Sequence, residues 1–240
     1  MNKRYFKYRD WQKRIIFEDA IYFITCKTNS NYSYFKEQIF CDLFIENLKL
    51  CKQIKGFLLF GWVLNYDHFH LLFQPNDKWN ISNLMQFLKR HIARNINITM
   101  GLDKITRYTI RNLHHEGAIG INPEGINPEG INPEGAIGIN PEGAIGQSHL
   151  QRKCLTNVVY KFDKFVWISK IRFHFKHGSR NPHPRYKWKK SFHDHYIRNN
   201  ADFDYHMDYM ACNPEKHHLP TDWPYVYTNQ KFENLTDNIL

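Results

Sequence analysis

The sequence contains no C-x-x-C pair. Its five cysteines, Cys26, Cys41, Cys51, Cys154 and Cys212, are scattered and odd in number. A disulfide framework and a structural zinc finger are therefore not expected, and a reducing cytoplasm is the natural compartment. No stretch approaches the roughly 18 consecutive apolar residues of a membrane span. The N-terminus, MNKRYFKYRDWQKR, is basic but is not followed by the apolar run and small-residue cleavage site of a secretory signal. Acids are scarce as well, 23 against 33 Lys plus Arg, which gives a net charge of +10 and a pI near 9.3. That imbalance points to a polyanionic partner, nucleic acid before an anionic membrane surface. Aromatic side chains reach 16% of residues, and base stacking is one use for them.

At 240 residues the chain is long enough to bury a core without covalent staples. AIYFITCKT (20–28) reads as a strand. From Tyr32 to Ile54 apolar residues fall at helical spacing, with Phe40, Leu43, Phe44, Leu48 and Cys51 in one stripe. GFLLFGWVLNY (56–66) and HFHLLFQP (68–75) form two further strands around a turn at 65–67. ISNLMQFLKRHIARNIN (81–97) is a second helix with Leu84, Phe87, Leu88 and Ile92 inward and Lys89, Arg90 and Arg94 on a basic side. The order strand, helix, strand, strand, helix needs a fourth strand to complete a ferredoxin-like antiparallel sheet with its helices on one face, an α+β fold. KSFHDHYIRN (190–199) supplies it, far downstream.

The chain between them carries a tandem INPEG repeat interleaved with AIG, from Gly117 to Gly146. Asn-Pro and a glycine every few residues are turn chemistry, and each repeat is too small to bury an apolar face of its own. The expectation is a long low-complexity insertion, 101–186, flexible, dividing one domain into 15–100 and 187–228; the repeat itself is given no catalytic role, and the basic stretch 147–185 is either part of the insertion or a flexible DNA-contacting flap. Surface loops tolerate such insertions.

The stretch FGWVLNYDHFHLLFQPN (60–76) places His68 and His70 at i and i+2 of a strand, hence on one face, with Phe69, Leu71 and Phe73 on the other. Such a pair alone is more often two surface or hydrogen-bonded histidines than a pair of ligands. Further on, ADFDYHMDYMACNP (201–214) reads as a helix with Asp202 near its start and Pro214 ending it. Tyr205, Tyr209 and Asn213 lie at i, i+4 and i+8 and so share one face.

Taken in order, WVLNYDHFHLLF, WKKSFHDHYIRN, YHMDYMACNPEKHHL and DWPYVY resemble the REP-associated tyrosine transposases, single-tyrosine IS200-like enzymes of the HUH nuclease superfamily. HUH denotes His-hydrophobic-His, which His68-Phe69-His70 satisfies. The resemblance covers roughly 20–97 and 187–227 and leaves out the repeat and its flanks. The chain departs from the family pattern in the long interval before the F-H-D-H strand and in Tyr66, where relatives often carry proline.

The resemblance implies a metal-dependent single-stranded DNA endonuclease and strand transferase acting on hairpin DNA. Tyr209, on the C-terminal catalytic helix, would attack a phosphodiester, leaving a covalent 5′-phosphotyrosine and a free 3′-hydroxyl that can reverse the step. His68, His70 and Asn213 would hold a divalent cation, Mg2+ or Mn2+ by the family, although imidazole chemistry alone suits zinc or manganese better. Tyr205 is a rival nucleophile one turn earlier, and the register D-Y-x-x-x-N-P favours Tyr209. His193 and His195 read as structural or supporting residues, and Asp208 as a base or, preferably, a solvated carboxylate. Lys89, Arg90, Arg94, Lys187, Lys189 and Lys190 are candidate phosphate contacts and Trp188 a candidate stacking platform. The expected partner is single-stranded or hairpin DNA, with no membrane role; a homodimer is compatible. The alternative is a non-catalytic hairpin-binding protein that keeps the fold but has lost turnover. An HUH relaxase fits less well, because such enzymes normally carry a helicase or larger partner domain.

Overall fold

A computed structural model describes residues 20–103, 149–178 and 180–237. Four antiparallel strands, β1 (Tyr22–Lys27), β2 (Leu58–Leu64), β3 (His68–Gln74) and β4 (His193–Tyr196), form one sheet in the order β2-β3-β1-β4. With α1 (Gln38–Lys55) and α2 (Ile81–Thr99) on one face, this is the ferredoxin-like α+β arrangement expected from the element order. Strand alternation explains the core. Ile24, Cys26, Trp62, Leu71 and Phe73 point to the helices and are 2% exposed or less.

The first helix begins later than its periodicity suggests. Residues 34–36 form a 3-10 turn, and Glu37 precedes α1 in an extended conformation. The turn buries Tyr34 and Phe35, so the apolar stripe continues although the helix does not. At the other end Gly56, with φ of 66°, takes the left-handed conformation that terminates α1. The Asn80 side chain caps α2 by accepting from the Asn83 N–H at 2.9 Å.

Part of the interval expected to be flexible is helical. α3 (His149–His177) spans 29 residues and lies against α1 and α2, with Val159, Phe162, Val166 and Phe173 buried. Tyr160, Trp167, Ile171 and Phe175 occupy its opposite, exposed side. The INPEG repeat lies outside the described residues. The chain returns to the sheet along residues 183–189, tied down where Asn97 Nδ2 donates to Tyr186 O (3.1 Å) and the Tyr186 N–H donates to Asn97 Oδ1 (2.9 Å).

The second face of the sheet is covered by α4 (Asn200–Ala211) and a short α5 (Asn213–Lys216). Phe23, Phe60, Val63 and Leu72 meet Phe203 and Met210 there. The β2–β3 register shifts between Leu59 and Gly61. A Cβ at Gly61 would come within 2.5 Å of Met210 Cε and 2.9 Å of Met207 Sδ, so this glycine lets α4 lie close to the strand. Pro214 does not end the helical path, contrary to the sequence expectation. It sits in the first turn of α5, where a missing N–H costs nothing. Among the described residues no helix is long and apolar enough to cross a membrane.

Candidate functional site

β3 carries His68 and His70 on the face turned toward α4, both 3% exposed, while Phe69 between them faces the helices. Their rings stand 5.0 Å apart between centroids. Each imidazole is fixed from behind. His68 Nδ1 donates to the Asp67 carboxylate at 2.6 Å. His70 Nδ1 lies 2.8 Å from Thr25 Oγ1, directly across the β1–β3 pairing. With Nδ1 as the donor in each case, both Nε2 lone pairs are left for another partner.

The electrostatics favour neutral imidazole at His70. Burial pushes its pKa well below the ordinary value, and the neighbouring His68, His217, Lys27 and His206 push the same way. Burial alone would raise Asp67, but the hydrogen bond and charge of His68, with Lys27 and His217, hold its carboxyl below the usual range.

α4 and α5 bring the other half. Tyr209 is half-buried, with its ring 5.3 Å from the His70 ring and 5.8 Å from Phe23. Asn213 is completely buried. The structure therefore brings His68, His70, Tyr209 and Asn213 together across the sheet and helix. Tyr205 stays outside, 66% exposed, its recorded ring neighbour being His206. Asp208 is exposed. His193 is exposed on β4, and His195 Nε2 meets the Asp202 carboxylate at 2.9 Å, fastening β4 to α4.

Sequence reasoning missed Asn65. Its Nδ2 donates to His68 Nε2 at 3.0 Å and also to Asn213 Oδ1. Two atoms of the expected ligand set thus converge on one amide group. His70 Nε2, Asn213 Nδ2 and Asn65 Oδ1 are buried without a hydrogen-bond partner. Imidazole nitrogens with supported tautomers and an amide oxygen, gathered around an unsatisfied nitrogen, suit a divalent cation. The residues present fit such an ion. Two further groups flank the site unforeseen: Lys216 Nζ lies 4.5 Å from the Tyr209 ring centre, and the His217 ring lies 4.6 Å from that of His68. Both follow Asn213 within the next turn, so helical spacing was the available signal.

The candidate nucleic-acid contacts divide into two groups. Lys89 Nζ donates to Lys189 O at 2.8 Å and the Trp188 indole N–H donates to Lys89 O at 3.1 Å. Trp188 is turned inward against Phe35, Phe69 and Tyr186, a position in the fold rather than an open stacking platform. Arg94 is half-buried, whereas Arg90, Lys187, Lys189 and Lys190 are exposed.

Residues 16–112 match the family described as "Transposase IS200 like". That segment contains His68 and His70 and ends before Tyr209 and Asn213. The match agrees with the resemblance read from the motifs over this part of the chain. No curated protein matches. A solved structure of a REP-associated tyrosine transposase bound to a REP hairpin is 15% identical, with a TM-score of 0.44, covering 90% of this chain and 81% of that one.

Proposed function

We propose that the chain is a metal-dependent single-stranded DNA endonuclease and strand transferase that works through Tyr209 on hairpin-forming DNA. One observation carries this reading: Tyr209 stands beside His70 at the edge of a buried pair of tautomer-fixed imidazoles that Asn65 links to Asn213. Residues 15–100 and 187–228 are read as one transposase domain, with 101–186 inserted into it.

Tyr209 Oη, giving its proton to solvent, attacks the scissile phosphorus, the P–O3′ bond breaks, and the 5′-phosphate stays on the tyrosine. The departing 3′-oxygen takes up a proton, and the same hydroxyl can later attack the phosphotyrosine to rejoin the strand. A divalent ion held by His68 Nε2, His70 Nε2 and Asn213 Oδ1, Mg2+ or Mn2+ by the family, would polarise the phosphate and stabilise the leaving oxygen. Thr25 and Asp67 hold the imidazoles in their ligating tautomers. Lys216 lies over the Tyr209 ring, and Phe23 with His70 limits the ring's swing. Arg90, Lys187, Lys189 and Lys190 hold phosphates along the exposed rim.

The test is incubation with hairpin-bearing single-stranded DNA and Mn2+ or Mg2+, resolved on a denaturing gel. Wild type and Tyr205→Phe should give a slow protein–DNA adduct; Tyr209→Phe should give none. Adduct in Tyr209→Phe would overturn the assignment. Binding without adduct across many hairpins would leave a non-catalytic hairpin-binding protein.

A further inference from the structure

The end of the inserted helix α3 meets the start of α1 at a second cluster of ligating groups, remote in function from the tyrosine site. Glu37 is 5% exposed and immediately precedes α1. His177 is the last residue of α3, and His183 lies six residues beyond it. One ligating atom from each of the three lies within 4.8 Å of the others. His177 Nε2 is 2.9 Å from Glu37 Oε2. His183 Nδ1 is 3.2 Å from the Tyr32 hydroxyl, which orients the ring from behind. Its Nε2 is buried and has no hydrogen-bond partner. Phe40 packs edge-on against the same ring at 5.3 Å and Phe173 lies 6.0 Å away, so the orphaned nitrogen has an aromatic, water-poor wall around it.

An unsatisfied buried nitrogen is a cost the fold would normally avoid. We propose that Glu37, His177 and His183 form a zinc site that clasps the inserted helix to the body of the sheet domain. Two imidazoles and one carboxylate are a three-ligand set for tetrahedral Zn2+, with water as the fourth ligand. With Nδ1 donating to the Tyr32 oxygen, His183 Nε2 presents its lone pair inward; the zinc replaces the proton that His177 Nε2 shares with Glu37. Lys176 is the present competitor, its Nζ 2.9 and 3.0 Å from the two Glu37 oxygens. Its side chain is 56% exposed, so it can swing into water and yield the carboxylate. The site closes a loop of structure that no strand pairing secures: Glu37 belongs to the sheet domain, and both histidines belong to the interval that interrupts it. By contrast, the His195–Asp202–His206 cluster has its carboxylate engaged by His195 Nε2 and the Arg198 N–H, and none of its own side-chain atoms is among the buried, unpartnered ones of the described residues.

The clasp stands whether or not the tyrosine cleaves DNA, and its test separates the two sites. Full-length protein carrying His68→Ala and His70→Ala is stripped with chelator, loaded with Zn2+, passed through gel filtration and assayed for zinc per chain. One equivalent is expected, falling to none when His183→Ala is added. Saturating Zn2+ should raise the unfolding midpoint by roughly 5 °C or more, and His183→Ala should abolish that rise. Lys176→Ala should tighten zinc binding several-fold, because it frees Glu37; that variant decides the matter even where His183→Ala fails to fold. No zinc on the His68→Ala/His70→Ala chain, zinc unaffected by His183→Ala, or weaker binding in Lys176→Ala would each overturn the clasp.

Discussion

The two faces of the sheet are buried almost equally and are built of different material. Under α1 and α2 the contacts are mainly apolar, interrupted by the buried hydrogen bond from Asn95 Nδ2 to Asn47 Oδ1, and the Cys26 thiol there is pushed up to about 12, chiefly by burial, against the opposing charge of Lys89. Under α4 the sheet presents His68 and His70, with Asn65 and Asn213 beside them, none more than 3% exposed. Burial raises a thiol on one side and lowers an imidazole on the other, so both faces exclude water. Both faces leave buried polar atoms without partners, Trp62 Nε1 and Tyr186 Oη on the first, but on the second His70 Nε2, Asn213 Nδ2 and Asn65 Oδ1 belong to one cluster of polar side chains. The first face holds the fold together, and the second carries a local cost that a ligand can relieve.

That contrast breaks most visibly at neighbouring positions of β3. Phe69→Ala empties the helix face and should cost about 3–5 kcal/mol in denaturant unfolding. His70→Leu, one residue on, should leave stability unchanged or raise it by about 1 kcal/mol, because an unsatisfied nitrogen disappears, while the DNA adduct is lost. A comparable loss of stability in both would mean the faces do not differ. Gly61→Ala sharpens the point at the α4 contact. Its Cβ must push the flexible ends of Met210 and Met207 aside, for about 1 kcal/mol, and adding Met210→Ala should recover that loss.

The smallest effect lies at the rim, where Asp202 joins α4 to β4. Burial would raise its pKa, but hydrogen bonds from His195 and the Arg198 N–H, with the charges of His195 and His206, hold it below 3.8. A depressed carboxylate contributes stability above its unfolded pKa and loses it as pH falls through the folded value. The wild type should therefore lose stability below about pH 4 more steeply than Asp202→Asn, as thermal midpoints against pH would record.

The helix face was the legible one. Period-2 alternation in β3 and the stripe of α1 are direct consequences of one-sided burial, and they located the sheet, both helices and the histidine pair. The shared faces of His68 with His70 and of Tyr209 with Asn213 could be read from spacing, and their joint role was implied by the resemblance, whereas Asn65 could be read from neither. Its role depends on a turn that folds its amide between two elements about 150 positions apart in sequence. α3 escaped notice for a different reason. Its apolar residues lie on opposite sides, Val166 and Phe173 inward and Trp167 and Phe175 outward, so no single stripe marks a helix. Pro214 misled because proline stops a helix from its interior but is tolerated in a first turn.

The pairing of β1 with β4 also sets an order in time. Phe23 meets His195 only after the whole interval has been made, whereas β1, α1, β2, β3 and α2 all fall within residues 22–99. Nearby contacts form before distant ones, and a nascent chain folds from its N-terminal part. The imidazole pair is thus assembled early, and the helix bearing Tyr209 joins it later. A ribosome-bound chain that has not yet released the interval holds His68 and His70 without Tyr209 beside them.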